Sequence, residues 1–496
     1  MTCRDRNTKP VRAGRPAALD AVDVGSWYEL INQGSGKALD ISGASTAEGG
    51  AVQQWTRNGG AHQRFQFVDS GDGYYRLKAQ HSGKVLDVHG WSDADHADIV
   101  QWGDTSGSNQ QFRLEGSADG RVRLINRNSG KAVEVRNAAT TDGAKVVQST
   151  DRGGVGQQWR LVPVSSVSEQ VHTAGRVKDL GATLQFSWPG VYFEGRFRGT
   201  GLGVVLDCAA ADYDVQVDGA TIATLVTPGD TTHWINGLGD GEHTVRVVKR
   251  NETPGDTSTF GGFVAAPGGA VLSKPEPRAR QIEFIGDSLT VGYGNVSGTR
   301  DCDPEQVKRN TNTDVSYSAL AARQLGADYQ INGLSGLGMV RNVAGICPEL
   351  TYRTYYDRAL LNVDGDVWQN PGTWRPQIVV VNLGANDFSD LTPGEPWTPG
   401  SLATAYRTAY GEFLRTLRTR YGADAALVAV GFDGDAEHVR QVVEACNDAG
   451  DSGVHYWHLD QAGLDFLGCE MHTSAQDDRL IADRLAPFLG SLPASW

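Results

Sequence analysis

Residues 282–290 read Ile-Glu-Phe-Ile-Gly-Asp-Ser-Leu-Thr. The run at 281–285 predicts a buried strand, and turn residues follow it. Gly286 lets the chain turn sharply, which leaves Ser288 at the mouth of a sheet. The alternation continues downstream. Helical periodicity appears at 314–325, 401–419, around 438–446 and at 473–488, and strand-like apolar runs at 377–383, 426–430 and 454–459. Strands alternating with helices predict a parallel sheet covered on both faces, an α/β/α three-layer domain over 278–496.

In such a sheet the reactive residues sit in loops after the carboxyl ends of the strands. Four of these loops carry chemistry: 285–290, then Asn-Gly-Leu-Ser-Gly-Leu-Gly at 332–338, Asn-Leu-Gly-Ala-Asn-Asp at 382–387 and Gly-Cys-Glu-Met-His at 468–472. A serine hydroxyl needs a base to act as a nucleophile at neutral pH, and His472 is the natural one for Ser288. The oxyanion that forms needs fixed donors, which the backbone N–H groups of Ser288 and Gly336 and the amide of Asn386 supply. Asp287 and Asp387 are expected to fix their loops by hydrogen bonds.

The four blocks, in this order, resemble the SGNH hydrolase family, named for its Ser, Gly, Asn and His. The resemblance implies Ser288 as nucleophile, Gly336 and Asn386 as oxyanion donors and His472 as base. The stretch 282–288, Gly-Tyr-Gly-Asn at 292–295 and Ser-Gly-Leu-Gly at 335–338 are further similar to carbohydrate esterase family 2, as is a β-rich segment directly before the hydrolase. This second resemblance covers about 168–490 and implies removal of O-acetyl groups from plant-type polysaccharides or oligosaccharides, with no metal or organic cofactor. Many SGNH enzymes carry Asp three residues before the base, where this chain has Cys469. Either Glu470 orients His472 or a backbone carbonyl does, giving a Ser–His dyad. Thr473 stands where Pro commonly follows the base.

The first third is repetitive. Gly-Lys-Ala-Leu-Asp-Ile at 36–41, Gly-Lys-Val-Leu-Asp-Val at 83–88 and Gly-Lys-Ala-Val-Glu-Val at 130–135 start 47 residues apart, as do Gln-Arg-Phe at 63, Gln-Gln-Phe at 110 and Gln-Gln-Trp at 157. Two landmarks with one period indicate three copies of one unit, each of about four short strands, which predicts a β-trefoil over 24–163. These motifs resemble the ricin-type lectins. That resemblance implies a shallow sugar pocket on each copy, with an Asp for hydroxyls, a stacking ring, and an Asn and a Gln. The second copy has all four in Asp87, Trp102, Asn109 and Gln110. The first has Asp40, Trp55 and Gln63, with His62 in place of Asn. The third has Glu134, Ser149 and Gly156 and no stacking ring, so its pocket is expected to be dead. Leu39 and Leu86 are expected in the core.

Between these parts, 168–272 shows β-rich runs at 183–188, 203–208, 213–217 and 243–249, with turn signals at Asp218-Gly219 and Asp240-Gly241. A jelly-roll β-sandwich is expected, without a helix of useful length, ending at the stiff Ser-Lys-Pro-Glu-Pro boundary at 273–277. Trp368, Trp374 and Trp457 offer a sugar platform or, more commonly, core packing.

The bulk numbers agree. A chain of 496 residues exceeds one core and predicts about three domains. A net charge of −14 disfavours nucleic acid and anionic membranes, and no apolar run reaches a membrane span. Segment 1–23 shows no apolar leader and is expected to be disordered. An extracellular site follows from the polymeric substrate, and a monomer is expected. Cys302 with Cys347 and Cys446 with Cys469 pair only if the fold brings them together; otherwise the thiols are free. Two other functions stay open: a short-chain esterase or lipase, and a sugar-binding protein with an inactive hydrolase.

Overall fold

The computed structural model describes residues 22–494 apart from 59, 117–119 and 165. The disordered segment expected at 1–23 lies, up to residue 21, outside the described residues. The chain forms two compact units that part after residue 165.

The first unit is one twelve-stranded antiparallel sheet, four strands from each repeat. Strands Ala38–Ile41, Val85–Val88 and Ala132–Val135 keep the 47-residue spacing. Strand Trp27–Asn32 pairs along its length with Trp159–Val164, so the last repeat closes onto the first. The repeated landmarks make the core: Leu39, Leu86 and Val133 from one motif, Phe65, Phe112 and Trp159 from the other, all buried.

The second unit begins with two five-stranded antiparallel sheets. Asp218 and Gly219 both take positive φ and join Asp212–Val217 to Ala220–Val226 in a two-residue hairpin. Asp240-Gly241 makes no hairpin, because the strand before it, Gly229–Asn236, lies in the other sheet from Glu242–Lys249. Strands Tyr192–Arg198, Ala220–Val226, Gly229–Asn236 and Ser258–Ala265 escaped the sequence reading. Phe193 and Phe260 stack at 4.1 Å between the sheets. The helix expected to be absent is a single four-residue turn, Val167–Gln170.

The remainder is a five-stranded parallel sheet: β1 (Arg280–Gly286), β2 (Ala327–Gly333), β3 (Ile378–Asn382), β4 (Ala426–Gly431) and β5 (Val454–His458), in the order β2-β1-β3-β4-β5. Its helices include α1 (Ser288–Val291), α2 (Tyr317–Gln324), α3 (Pro399–Tyr421), α4 (Ala436–Asp448) and α5 (Ala475–Ser491). The sequence reading missed β2. Its side chains Asp328, Gln330 and Asn332 are polar yet buried: the sandwich supplies the partners of Asp328 and Gln330, and Glu283 of β1 accepts from Asn332 at 2.6 Å. Asp328 accepts from His172 at 2.9 Å and from Tyr192 at 2.7 Å, and Arg176 pairs with Glu283 of β1 at 2.9 Å. Sandwich and sheet therefore share one core, which explains why they form a single unit.

The disulfide joins Cys302 to Cys469, correcting both pairings considered above, while Cys347 and Cys446 are free. The two bonded cysteines lie 167 residues apart, and only the fold brings them together. Trp368 and Trp374 are buried.

Candidate active site

The loops singled out in the sequence meet at the carboxyl ends of β1, β2 and β3. β1 ends at Gly286, where an added Cβ would collide with Thr290 Oγ1, so only glycine permits the turn into α1. Asp287 caps that single helical turn by accepting the Leu289 N–H at 3.2 Å, and Ser288 follows as its first residue. The other Asp287 oxygen accepts Asn386 Nδ2 at 3.0 Å. The second hydrogen of that amide goes to the Leu337 carbonyl at 3.0 Å, so Asn386 ties the β1 and β2 loops together. Next to it, the Asp387 carboxylate takes the N–H groups of Met339, Val340 and Arg341 at 2.7–2.9 Å. Both aspartates thus hold loops, as their positions suggested. Burial above all pushes Asp287 up to about 7 and Asp387 up to about 6, and the charge of Asp387 raises Asp287 further.

Gly336 sits in the left-handed region at φ 78, and its carbonyl accepts the Val343 N–H at 2.9 Å. The residue before it, Ser335, donates its N–H at 2.7 Å and its hydroxyl to the carboxylate of Glu252, which belongs to the sandwich.

His472 arrives from the loop between β5 and α5. This loop is fastened to the segment after Ser288: Cys469 N–H donates to the Gly294 carbonyl at 3.2 Å and Ala475 N–H to the Asn295 carbonyl at 2.7 Å. His472 Nδ1 lies 3.0 Å from the Cys469 carbonyl. That contact makes Nδ1 the protonated nitrogen and leaves Nε2 as the basic one. Burial holds the imidazole below its ordinary pKa, while the carbonyl and Glu470 act in the opposite direction. The Tyr293 ring packs on the imidazole with centroids 4.5 Å apart.

The Glu470 side chain has a different partner. It is exposed, its backbone takes φ 53, and its carboxylate accepts the Tyr293 hydroxyl at 3.1 Å. The left-handed turn at 470 and 471 carries the side chain away while delivering the Cys469 carbonyl to the ring. Of the two readings drawn from the sequence, the geometry corresponds to the backbone carbonyl.

The repeats differ in their polar clusters. In the second, Asp87 accepts Asn109 Nδ2 and Gln110 Nε2, both on Oδ2 at 2.9 Å, and Trp102 is half-buried nearby in the paired strand. Asn109 Oδ1 is buried without a hydrogen-bond partner. In the first, both Asp40 oxygens are taken, Oδ1 by Gln53 at 2.8 Å and Oδ2 by Gln63 at 2.9 Å, with His62 at 3.3 Å, while Trp55 is exposed. In the third, Glu134 accepts Gln157 at 2.7 Å.

Three residues at these sites escaped the sequence reading. Tyr293 lies inside the Gly-Tyr-Gly-Asn motif and carries no signal of its own. Glu252 lies 83 positions from Ser335 and carries no local signal. Trp91 is 56 % exposed, and both its ring and Asn109 Oδ1 pack against Gly107 so closely that a Cβ there would collide with them. The 47-residue register does mark Trp91, since Ala44 and Ala138 are its counterparts.

Residues 20–102 and 108–180 match the ricin-type beta-trefoil lectin domain-like family, 173–275 the carbohydrate esterase 2 N-terminal family and 284–483 the GDSL-like lipase/acylhydrolase family. An acetylxylan esterase / glucomannan deacetylase of Cellvibrio japonicus is 35% identical over 337 residues, 66% of this chain and 92% of that protein. A solved carbohydrate esterase, whose active site is described as displaying divergent catalytic and non-catalytic binding functions, is 34% identical, with a TM-score of 0.60 over 65% of this chain and 98% of the other. A family two carbohydrate esterase from Clostridium thermocellum, solved with cellohexaose, is 29% identical, with a TM-score of 0.56 over 65% of this chain and 100% of the other.

Proposed function

Since the chain belongs to the carbohydrate esterase 2 family and carries a ricin-type lectin-like module, we propose that it is a serine esterase removing O-acetyl groups from plant-type polysaccharides or oligosaccharides. In this reading 24–163 is a β-trefoil lectin, 168–272 a jelly roll and 278–496 a three-layer SGNH hydrolase. The observation that carries it is the placement of His472, its Nδ1 on a fixed carbonyl, on the loop fastened to the segment after Ser288.

Ser288 Oγ attacks the acetyl carbonyl carbon while His472 Nε2 takes the hydroxyl proton. The imidazolium is held through Nδ1–H by the Cys469 carbonyl, so the pair works as a dyad. The oxyanion receives the N–H groups of Ser288 and Gly336. Asn386 Nδ2 already donates to Asp287 and to the Leu337 carbonyl, and a full oxyanion competes well against that neutral carbonyl because charge-assisted bonds are stronger. The C–O bond to the sugar breaks, and His472 returns the proton to the leaving hydroxyl. Water then attacks the acetyl-serine with His472 as base, releasing acetate and restoring Ser288.

The second repeat is the proposed sugar site. Asp87 keeps one oxygen for a sugar hydroxyl, and Trp91 and Trp102 supply aromatic surface. In the first repeat both oxygens of the carboxylate already accept internal donors, where Asp87 leaves one oxygen open. A weak site beside a polymer raises the local substrate concentration. The Cys302–Cys469 disulfide and the polymeric substrate both support an extracellular location. The test is acetate release from acetylated xylan by the intact chain, with Ser288→Ala as its blank.

A further inference from the structure

The parallel sheet does not hold its oxyanion loop unaided. Ser335, directly before Gly336, gives both its N–H and its hydroxyl to Glu252. Glu252 follows strand Glu242–Lys249 of the sandwich by three residues, on an arm pinned at every step. Lys249 is fully buried and donates to the carbonyls of Ser187 and Asn251, both at 2.8 Å. The Arg250 carbonyl accepts Thr313 N–H at 2.8 Å. Asn251, also fully buried, accepts the Asp212 N–H at 3.0 Å and donates to the Lys308 carbonyl at 3.1 Å. The carboxylate at the end of this arm is close enough to act electrostatically on Tyr293, which packs on His472, and on Asp287, which precedes Ser288.

We propose that Glu252 is a positioning residue for the esterase: the sandwich uses it to fix the Ser335–Gly336 peptide, so that the Gly336 N–H is aimed before substrate arrives. The inference rests on the reading of Gly336 as an oxyanion donor. Glu252 touches no reacting atom in this account. Its effect passes through one peptide unit, where Gly336 at φ 78 has the freedom to misplace its N–H once the clamp is lost. Preorganised donors contribute because they need no reorganisation during reaction, and a displacement of about 1 Å costs on the order of 100-fold in rate. The arrangement also gives the sandwich a part in catalysis, although it carries no catalytic residue of its own.

The experiment measures kcat and KM for deacetylation of acetylated xylan by the full chain. Glu252→Ala is expected to lower kcat by about 10- to 100-fold with KM within about 2-fold, because a donor used mainly in the transition state is misaimed. Glu252→Gln, which still bonds Ser335, should stay within about 3-fold of wild type. Ser335→Ala loses one of the two bonds and should fall between them. Adding Ser335→Ala to Glu252→Ala should cost nothing more, since the partners act as one unit. Gln216→Ala is the control; it breaks another sandwich contact, Gln216 to Asp314 at 2.9 Å, and should leave kcat unchanged. Wild-type kcat in Glu252→Ala, or a loss no larger than that of Gln216→Ala, would overturn the proposal. If Glu252→Ala does not fold, an undiminished kcat in Ser335→Ala overturns it. Activity persisting in Ser288→Ala would instead sink the parent reading.

Discussion

His472 is held through Nδ1 by the main-chain carbonyl of Cys469 at 3.0 Å, and Cys469 is covalently tied to Cys302. In the proposed mechanism the group that orients the base is thus part of a cross-linked loop rather than a carboxylate. A carbonyl cannot lose its alignment by titrating, but it can lose it if the loop moves. Cys302→Ser should therefore lower kcat for acetate release by about 10-fold or more, on the scale of about 100-fold for 1 Å of misplacement. It should also destabilise the fold by about 2–4 kcal/mol, as removal of a cross-link closing a long loop does. Steady-state assays and thermal unfolding read both effects, and unchanged kcat would show that the loop stands without the bond.

Glu470 gives a contrasting prediction. Its carboxylate bonds the Tyr293 hydroxyl and not the imidazole. Glu470→Gln should change kcat by less than about 3-fold, whereas removing the acid of a working triad costs on the order of 10⁴. A loss of that larger size would return Glu470 to the catalytic set.

The pH profile tests the environment of the base. Burial holds His472 below its ordinary value, so the neutral, basic form persists to lower pH. The acid limb of kcat/KM should have its midpoint below about 6.5, the unperturbed histidine value. A midpoint above that value would mean a carboxylate partner for the imidazole.

Asp287 makes a stability prediction of opposite character. Its folded pKa, about 7, lies above the ordinary 3.8, so the folded state binds the proton more tightly. Its contribution to stability is favourable at low pH and is lost as pH rises between those values. Asp287→Asn keeps a helix-capping oxygen and removes the titration. Relative to wild type, its melting temperature should be higher at about pH 8 than at about pH 4. Equal differences at both pH values would contradict the assignment.

The lectin prediction separates the repeats. Asp87→Ala or Trp91→Ala, in the Ser288→Ala background, should weaken retention on insoluble xylan by about 10-fold, the loss expected from one hydrogen-bonding or stacking contact. Asp40→Ala should leave retention unchanged, because both oxygens of that carboxylate are already bonded within the protein. Equal losses at Asp40 and Asp87 would refute the single-site reading.

What could be read in the chain follows from how locally each feature is encoded. The repeats and the four loops announce themselves through spacing and through glycines that sharp turns require, and β1, β3, β4 and β5 through apolar runs. β2 was hidden because Asp328, Gln330 and Asn332 belong to the pattern of a surface strand, and partners on the sandwich and on β1 let them be interior. The disulfide was hidden because loop proximity, not spacing, selects Cys302 and Cys469. Glu252 was hidden for the same reason, its partner lying 83 residues away. Positive φ at 470 and 471 turns the Glu470 side chain away and brings the Cys469 carbonyl to His472, a geometry that residue types alone do not dictate.

In the proposed mechanism Ser288 carries acetyl transfer from a polysaccharide. Acetate release from acetylated xylan by the wild-type chain and by Ser288→Ala tests it most directly. Release by the wild type with none from the mutant is the predicted result. Release by both would contradict the assignment of the nucleophile, and release by neither, in protein shown to be folded, would contradict the substrate.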